Sequence, residues 1–307
     1  MGGTYPLRVF FAPFLVVAAL VLAGCGSEDS GEPAPQRFDA ERAFSDLEAQ
    51  VEIGPRPSGS PGSRELVGFL VDRLEEAGAK DIAVQRPYRN VVATIPGSGE
   101  GTIVVGAHHD TKDIPGFVGA NDGASGVAVV LELARVLAAE APLDGPSVSI
   151  ALFDAEEARG DRPFTEDGAR GSRQYVALAE QGGRQGSPSL AESRAMILFD
   201  LVGDCNLAIP REAGSDETLY AKFAEAARDV SGSDSAEPFV GETEAIGDDH
   251  VPFLAAGVPA VDLIDFTFGG DASPGTYWHT TEDTLDKVCP ESLDSVGEPA
   301  VRVLQGK

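Results

Sequence analysis

The strongest constraint on the fold is a regular alternation of short apolar runs with longer stretches whose apolar residues recur at helical spacing. Helical spacing predicts amphipathic helices, and continuous apolar runs predict buried strands. Such strands, separated by helices, are typical of a mostly parallel sheet covered on both faces. We therefore predict an α/β fold, a three-layer α/β/α sandwich around a mostly parallel, mixed central sheet. The predicted buried strands are 102–107, 147–153, 195–201 and 258–264, two shorter strands lie within 81–95, and the predicted helices are 38–51, 64–77, 124–139, 171–180, 216–229, 249–256 and 290–304.

Polar motifs follow the buried strands at the points where these strands end. His108 follows the first strand, and Glu156 with Glu157 follows the second. Asp200 ends the third strand, and His279 lies after the fourth. Ligands of open α/β sheets bind beyond the carboxyl ends of the strands. We therefore expect these side chains to meet in one site at that edge of the sheet.

The chain has only four histidines, and each lies in a segment that also carries carboxylates. They are His108 and His109 in GAHHDTK, His250 in GDDHVPF and His279 in YWHTTED. Neutral imidazoles beside carboxylates are the ligands of zinc sites, and a carboxylate left over can serve as a base. His109 follows a histidine on a strand and points the other way, so it is predicted to be structural.

Each motif taken alone has a simpler explanation. His108 could be a core histidine, or a metal ligand whose ring the carboxylate of Asp110 orients. Asp122, in GANDGASG, is best explained by itself as the cap of a long helix. Glu156 and Glu157 could be solvated surface charges, although they directly follow a buried strand.

Taken in order, the segments resemble the zinc-dependent aminopeptidase and glutaminyl cyclase superfamily. The resemblance is carried by H-x-D, NDGASG, D-x-EE, DLVGD, DDHVPFL and WHT…DTLD, and it extends over nearly all of residues 38–307. It implies a zinc-exopeptidase-like fold and a single zinc-dependent catalytic domain over 38–307. It also implies that Glu156 is the catalytic acid and base.

In the aminopeptidase branch, the resemblance implies two zinc ions per chain. Asp122 would bridge them, with Glu157 and His279 on one ion and His108 and Asp200 on the other. Such enzymes hydrolyse the first peptide bond and release the N-terminal residue of a peptide.

In the cyclase branch, the resemblance implies one zinc ion, held by Asp122, Glu157 and His279. Asp200 and Asp248 would then be catalytic hydrogen-bonding partners. The reaction converts an N-terminal glutamine to pyroglutamate and releases ammonia.

Several segments favour the cyclase branch, among them GPRPSGSPG, GSR, DDHVPFLAAGVP and Trp278, which is predicted to bind substrate as an aromatic wall. Two features depart from it: Asp262 stands where animal cyclases carry a histidine, and the loop after Glu157 lacks their tryptophan. The primary prediction is a glutaminyl-peptide cyclotransferase-like enzyme acting on peptide N-termini. A two-zinc aminopeptidase and a catalytically inactive peptide-binding lipoprotein are the alternatives.

The N-terminus resembles a bacterial lipoprotein signal. Arg8 precedes an apolar stretch that closes on LAGC, which predicts a signal peptide over 1–24 and lipidation at Cys25. Residues 25–37 have the composition of a flexible tether. The protein is therefore expected to be exported and lipid-anchored to the outer face of a bacterial membrane. An ordinary secretory signal or an uncleaved anchor are the alternatives.

Charge and cysteine content add two expectations. Acidic residues outnumber basic ones 50 to 23, for a net charge of −27, which argues against nucleic acid as a partner. After lipidation of Cys25, only Cys205 and Cys289 could pair in an oxidising compartment. Their sequence separation leaves open whether they do.

Overall fold

The apolar runs form one six-stranded sheet in the computed structural model, which describes residues 1–4, 37–243 and 245–306. Its strand order is β1-β2-β4-β3-β5-β8; β1, β2 and β4 pair antiparallel, whereas β4, β3, β5 and β8 run parallel. The predicted mixed, mostly parallel sheet is therefore confirmed. The strands are β1 (Lys80–Val84), β2 (Val91–Ile95), β3 (Thr102–His108), β4 (Ser147–Phe153), β5 (Ser193–Asp200) and β8 (Ala260–Ile264), and β6 (Arg211–Glu212) and β7 (Glu242–Thr243) form a separate two-stranded parallel pair.

Helices cover both faces of the six-stranded sheet, which confirms the three-layer α/β/α prediction. One face packs under α1, α2, α3, α6 and α8, and the other under α5 and α7. The helices are α1 (Ala40–Ile53), α2 (Pro61–Ala77), α3 (Ala124–Ala139), α4 (Phe164–Asp167), α5 (Arg170–Glu180), α6 (Glu217–Ser231), α7 (Val251–Ala255) and α8 (Pro290–Gln305).

Successive side chains of each strand point to opposite faces of the sheet, so the core forms two layers, one on each face. On β5, Ile197 and Phe199 face the larger cluster beneath α3, and Met196 and Leu198 face the smaller one beneath α5 and α7. Asp200 continues the second set, because side chains two residues apart share a face. The acidic end of β5 therefore points to the side of the sheet that carries few helices.

Local signals explain where the helices begin and end. Ser60 caps α2 by accepting a hydrogen bond from the Ser63 N–H, Pro61 occupies the first turn, and Gly78 ends the helix in the left-handed conformation. The predicted helix at 249–256 is shorter, because His250 is the N-cap and the helix begins at Val251.

Four short elements were not predicted from the sequence: α4, β6, β7 and a 3-10 helix over Leu285–Lys287. They are two to four residues long, so they carry no measurable periodicity. Their absence from the prediction matters, because β6 contributes to the region behind the site.

Cys205 and Cys289 form a disulfide across a sequence separation of 84. The bond joins the segment after β5 to the N-cap of α8, so the pairing left open by the sequence is present in the structure.

No helix among the described residues is long and apolar enough to cross a membrane. All of these helices and strands belong to one compact unit, Pro33–Lys307. The predicted signal segment beyond residue 4, Cys25 and nearly all of the predicted tether lie outside the described residues.

Gly126 lets α3 lie against the end of β5. A Cβ at this position would come within 2.1 Å of the Phe199 carbonyl oxygen and 3.1 Å of the Ala107 side chain. We expect Gly126→Ala to lower the free energy of unfolding by about 1–3 kcal/mol, the usual cost of overpacking. Urea unfolding followed by circular dichroism measures this.

The control is Gly68→Ala in α2, where a Cβ meets nothing within 4 Å. Since alanine favours a helix over glycine, this variant should be stabilised by about 0.5–1 kcal/mol. Equal effects of the two substitutions would contradict the close approach of α3 to β5.

Candidate active site

A first group of potential metal ligands lies at the ends of β3 and β5. The Nε2 atom of His108 lies 3.1 Å from Oδ1 of Asp200 and 3.3 Å from Oδ1 of Asp122. All three side chains are buried or nearly so, and their ligand atoms lie within 4.8 Å of one another. Burial of two carboxylates at this spacing is costly without a cation to compensate their charge.

A second group uses the other oxygen of the same aspartate. The Nε2 atom of His279 lies 3.5 Å from Oδ2 of Asp122 and 3.0 Å from Oε1 of Glu157. These three also meet within 4.8 Å. Each group offers one imidazole and two carboxylates, a donor set that Zn²⁺ uses, so the residues fit the metal that the sequence predicts.

The local explanation of Asp122 as a helix cap is wrong. The N-cap of α3 is Gly123, with φ 96°, and no side chain caps the helix. The backbone N–H groups of Asn121 and Asp122 instead donate to the carboxylate of Asp283, at 2.7 and 3.0 Å. The carboxylate of Asp122 is thereby left for the two ligand groups.

Asp283 supports the bridging position and was not predicted as a site residue. It is fully buried, and burial together with the charge of Asp122 raises its pKa to about 7. The sequence signal was present, because Asp283 begins the DTLD segment after His279.

The carboxylate of Asp110 binds the segment that carries Glu156 and Glu157 rather than the ring of His108. Its carboxylate lies 3.9 Å from Nδ1 of His108, too far for a hydrogen bond, and the ring contacts the Asp110 backbone carbonyl at 3.1 Å instead. The hypothesis that this carboxylate orients His108 is therefore wrong. Its Oδ1 atom accepts the backbone N–H of Glu156 at 3.0 Å.

Glu156 lines the cleft, and its carboxyl group makes no ion pair with any residue that the structure describes. It follows Ala155, whose φ of 60° lies in the left-handed region, a conformation that turns the chain sharply after β4. Burial raises the pKa of Glu156 well above its usual range, and the charges of Glu157 and Asp248 add to the shift. A carboxyl group that readily keeps a proton suits acid and base chemistry.

Asp248 lines the same cleft from the segment before α7. It is 2 % exposed, and burial, with the charges of Asp200 and Asp249, raises its pKa well above the ordinary value. The structure thus brings together Glu156, Asp200 and Asp248, the three residues predicted as catalytic.

An aromatic wall stands beside the second ligand group. The ring of Trp278 stacks on that of His279, with centroids 3.7 Å apart and an angle of 17°. Phe266 packs edge-on against Trp278 at 5.2 Å, and Phe117 packs edge-on against His279 at 6.2 Å. The cleft in front of this wall encloses about 840 Å³ and is open to solvent at one side.

Lys112 and Phe164 are among the lining residues that were not predicted. Lys112 donates to the Ala158 carbonyl at 2.6 Å and lies 3.3 Å from Oε2 of Glu157, opposite the oxygen that faces His279. Phe164 lines the cleft in the loop that lacks the cyclase tryptophan. The lysine was within the GAHHDTK segment, whereas nothing in the sequence marked the phenylalanine.

The other two histidines lie outside both ligand groups. His109 is buried, and its Nε2 donates to the Arg89 carbonyl at 3.2 Å, in agreement with a structural role. His250 is also buried, at the start of α7.

Comparison with known proteins identifies the relatives. The model of the family described as Peptidase family M28 matches residues 90–304. A glutaminyl-peptide cyclotransferase of Bothrops jararaca is 26% identical over 282 residues, covering 79% of this chain and 75% of the relative.

The solved structures with a similar fold include a glutaminyl cyclase and an aminopeptidase. A glutaminyl cyclase from an Acidobacteriales bacterium is 31% identical, with a TM-score of 0.75 over 89% of this chain and 97% of the other. A leucine aminopeptidase precursor from Bacteroides thetaiotaomicron is 26% identical, with a TM-score of 0.73 over 89% and 98%. The predicted superfamily, the zinc-exopeptidase-like fold and the enzyme class are thereby confirmed, and zinc is the implied metal.

The buried carboxyl groups predict how stability depends on pH without metal. A carboxyl group whose pKa is raised in the folded state stabilises the fold while it is protonated. The stability that these groups contribute is therefore fully present below about pH 4, and it is lost as the pH rises through their folded-state pKa values, which are about 7 for Asp249 and Asp283. His109, whose buried ring has a lowered pKa, acts in the opposite direction between pH 5 and pH 8, whereas the lowered pKa values of Glu157 and Glu212 act chiefly below their ordinary value of 4.5. The buried carboxyl groups with raised pKa values are Asp46, Asp110, Glu156, Asp248, Asp249, Asp262, Asp265 and Asp283.

We therefore expect the EDTA-treated protein to melt at a lower temperature at pH 8 than at pH 5, and added zinc to raise the Tm more at pH 8. Ligand binding stabilises the folded state, and the bound cation offsets the carboxylate charge. Differential scanning calorimetry measures both shifts. In Asp122→Asn, which removes the shared carboxylate, the zinc-induced shift should be largely lost. A metal-free Tm that rises from pH 5 to pH 8 would contradict the expectation.

Proposed function

The chain belongs to peptidase family M28, and on this premise we propose that it is a zinc-dependent glutaminyl-peptide cyclotransferase. The substrate would be a peptide with an N-terminal glutamine, and the products a pyroglutamyl peptide and ammonia. Relatives that carry this activity in their names include proteins from a snake, from Drosophila melanogaster and from several bacteria.

The aromatic wall is the observation that carries the proposal. Trp278 lies flat against His279, and both line the same cleft as Glu156, so a planar side chain can enter the cleft beside this wall. A glutamine side chain ends in a planar amide and fits beside such a wall. Its cyclisation requires no attacking water, because the nucleophile is the substrate's own α-amine.

Glu156 is assigned the proton transfer. Bound zinc would act as a Lewis acid that polarises the γ-amide carbonyl of the glutamine. The carboxylate of Glu156 accepts a proton from the α-amine as its nitrogen bonds to the carbonyl carbon of the side-chain amide, Cδ. Glu156 then delivers this proton to the amide nitrogen, and the bond between that nitrogen and Cδ breaks to release ammonia.

Asp200 and Asp248 are assigned the binding of the reacting groups. Asp248 is buried in the cleft with a raised pKa, so it can keep a proton and donate a hydrogen bond. Asp200 lies at the end of β5 beside His108. Prearranged donors and acceptors of this kind stabilise charge that develops during a reaction.

Replacement of the proposed acid and base tests the mechanism. We expect Glu156→Gln to lower kcat by at least about 100-fold, because an amide cannot accept the proton. The zinc content, measured by atomic absorption, should stay unchanged. Glu166→Gln, on the exposed face of the same loop, is the matched control and should keep wild-type turnover. Full activity of Glu156→Gln would remove the role assigned to it.

A second function is favoured by a specific observation. The two oxygens of Asp122 face two separate ligand groups, as a bridge between two zinc ions requires. In a two-zinc aminopeptidase the same Glu156 would deprotonate a water molecule that attacks the first peptide carbonyl. One solved relative is named a leucine aminopeptidase precursor.

Two peptides separate the two functions. The purified protein is incubated with one peptide that begins with glutamine and one that begins with leucine, and the products are analysed by mass spectrometry. A glutamine peptide that loses one ammonia without cleavage supports the cyclase. A free leucine supports the aminopeptidase and contradicts the primary proposal.

Zinc stoichiometry gives an independent prediction. We expect one zinc per chain in the wild-type cyclase, held by Asp122, Glu157 and His279, and the same content in His108→Gln. A two-zinc aminopeptidase would instead lose one of two ions in this variant, since His108 belongs to the other ligand group. His109→Gln, the neighbouring histidine outside both groups, is the control.

We also infer export and lipid anchoring from the lipobox-like segment that ends at Cys25. Metabolic labelling with a palmitate analogue tests this, since Cys25→Ser should abolish labelling.

A further inference from the structure

Glu212 on β6 is a fully buried carboxylate that no motif marked and the proposed chemistry does not use. Its Oε1 atom accepts the backbone N–H of Gly214 at 2.8 Å and that of Ile246 at 3.0 Å. Its Oε2 atom accepts the hydroxyl of Ser215 at 2.9 Å and lies 3.4 Å from Nε2 of His250. Burial by itself raises the pKa of Glu212, but these contacts overcome it and lower the pKa to about 2, so the group is charged at neutral pH.

His250 connects this carboxylate to the central sheet. Its Nδ1 atom lies 3.5 Å from Oδ2 of Asp262, which stands on β8. Ser215 closes the ring, because its hydroxyl oxygen also accepts the Asp262 N–H at 2.9 Å. Glu212, Ser215, His250 and Asp262 therefore form a closed buried ring that joins β6, the start of α7 and β8.

Asp248 lies between two points that this ring holds. Ile246, two residues before it, is bound to Glu212 through its N–H, and His250, two residues after it, faces Glu212 through its ring. Among the described residues, the carboxylate of Asp248 accepts a single hydrogen bond, from the adjacent Asp249 N–H, and its Oδ2 has no partner. Its position in the cleft is thus set by the backbone.

We propose that Glu212 is a positioning residue that fixes Asp248 in the cleft by holding Ile246 and His250. The inference rests on the proposed catalytic role of Asp248. An ionised carboxylate buried this deeply cannot give up its donors without a large cost in desolvation. The segment from 246 to 250 is therefore held in one arrangement, which is what a group that must meet a reacting atom requires.

The test compares Glu212→Gln with the wild type on the peptide that the enzyme turns over. We expect kcat to fall about tenfold or more, since a misplacement of about 1 Å is enough for a loss of that size. KM should stay within about twofold, because the aromatic wall is unchanged, and zinc content should be that of the wild type. Glu242→Gln is the matched control, as it removes an exposed carboxylate from the neighbouring strand β7.

A double variant separates positioning from a general effect on the fold. If Glu212 acts through Asp248, Glu212→Gln/Asp248→Asn should be no slower than Asp248→Asn alone. A double variant that is slower by the full factor of both single changes overturns the inference. If Glu212→Gln does not fold, His250→Gln replaces it, because this change leaves the three hydrogen-bond donors to Glu212 in place: the N–H groups of Gly214 and Ile246 and the hydroxyl of Ser215.

Failure of the inference differs from failure of the proposed function. A slow Asp248→Asn beside a Glu212→Gln variant with wild-type kcat overturns the positioning role alone. An Asp248→Asn variant with wild-type kcat overturns the catalytic role of Asp248, and with it the inference that depends on it.

Discussion

The gathering of carboxyl groups at the carboxyl edge of one parallel sheet is the constraint on which the rest of the structure depends. Buried carboxylates repel one another and lose their hydration, so they persist only with protons, hydrogen-bond donors or cations. Two imidazoles approach Asp122 from opposite sides, and Asp283 takes up the backbone N–H groups beside it. The close packing of α3 on β5 at Gly126 brings the ends of these elements together.

The same arrangement would suit either of the two proposed reactions, because both need a base beside a polarised carbonyl. Glu156 is the residue proposed as that base in each case. The difference lies in the nucleophile, which is an amine of the substrate in cyclisation and water in hydrolysis. A flat aromatic wall at His279 favours the former, whereas the shared oxygens of Asp122 provide for the latter. Selection between the two thus depends on the shape of the cleft more than on the identity of its acids.

The central sheet and much of the site could be predicted because long apolar strands end directly at polar motifs. His108, Glu156 and Asp200 were found in this way. Asp122 could not be assigned from its surroundings, since an aspartate before a helix usually caps it. Glu212 could not be found at all: it stands on a strand of two residues, and the partners that connect it to the site, Ile246 and His250, are far from it in sequence. The disulfide was undecidable for the same reason, because distance along the chain says nothing of distance in space.

The disulfide also divides the site residues into those inside the covalent ring that it closes and those outside it. The ring it closes, from Cys205 to Cys289, includes β6, α6, β7, α7 and β8, and carries Asp248 and His279. The four other members of the two ligand groups, His108, Asp122, Glu157 and Asp200, lie before the ring. An opening confined to the ring, of the kind by which native proteins unfold in parts, withdraws Asp248 and His279 together. It leaves the His108 group whole, so such a partly open form would keep a place for a cation after it has lost the aromatic wall.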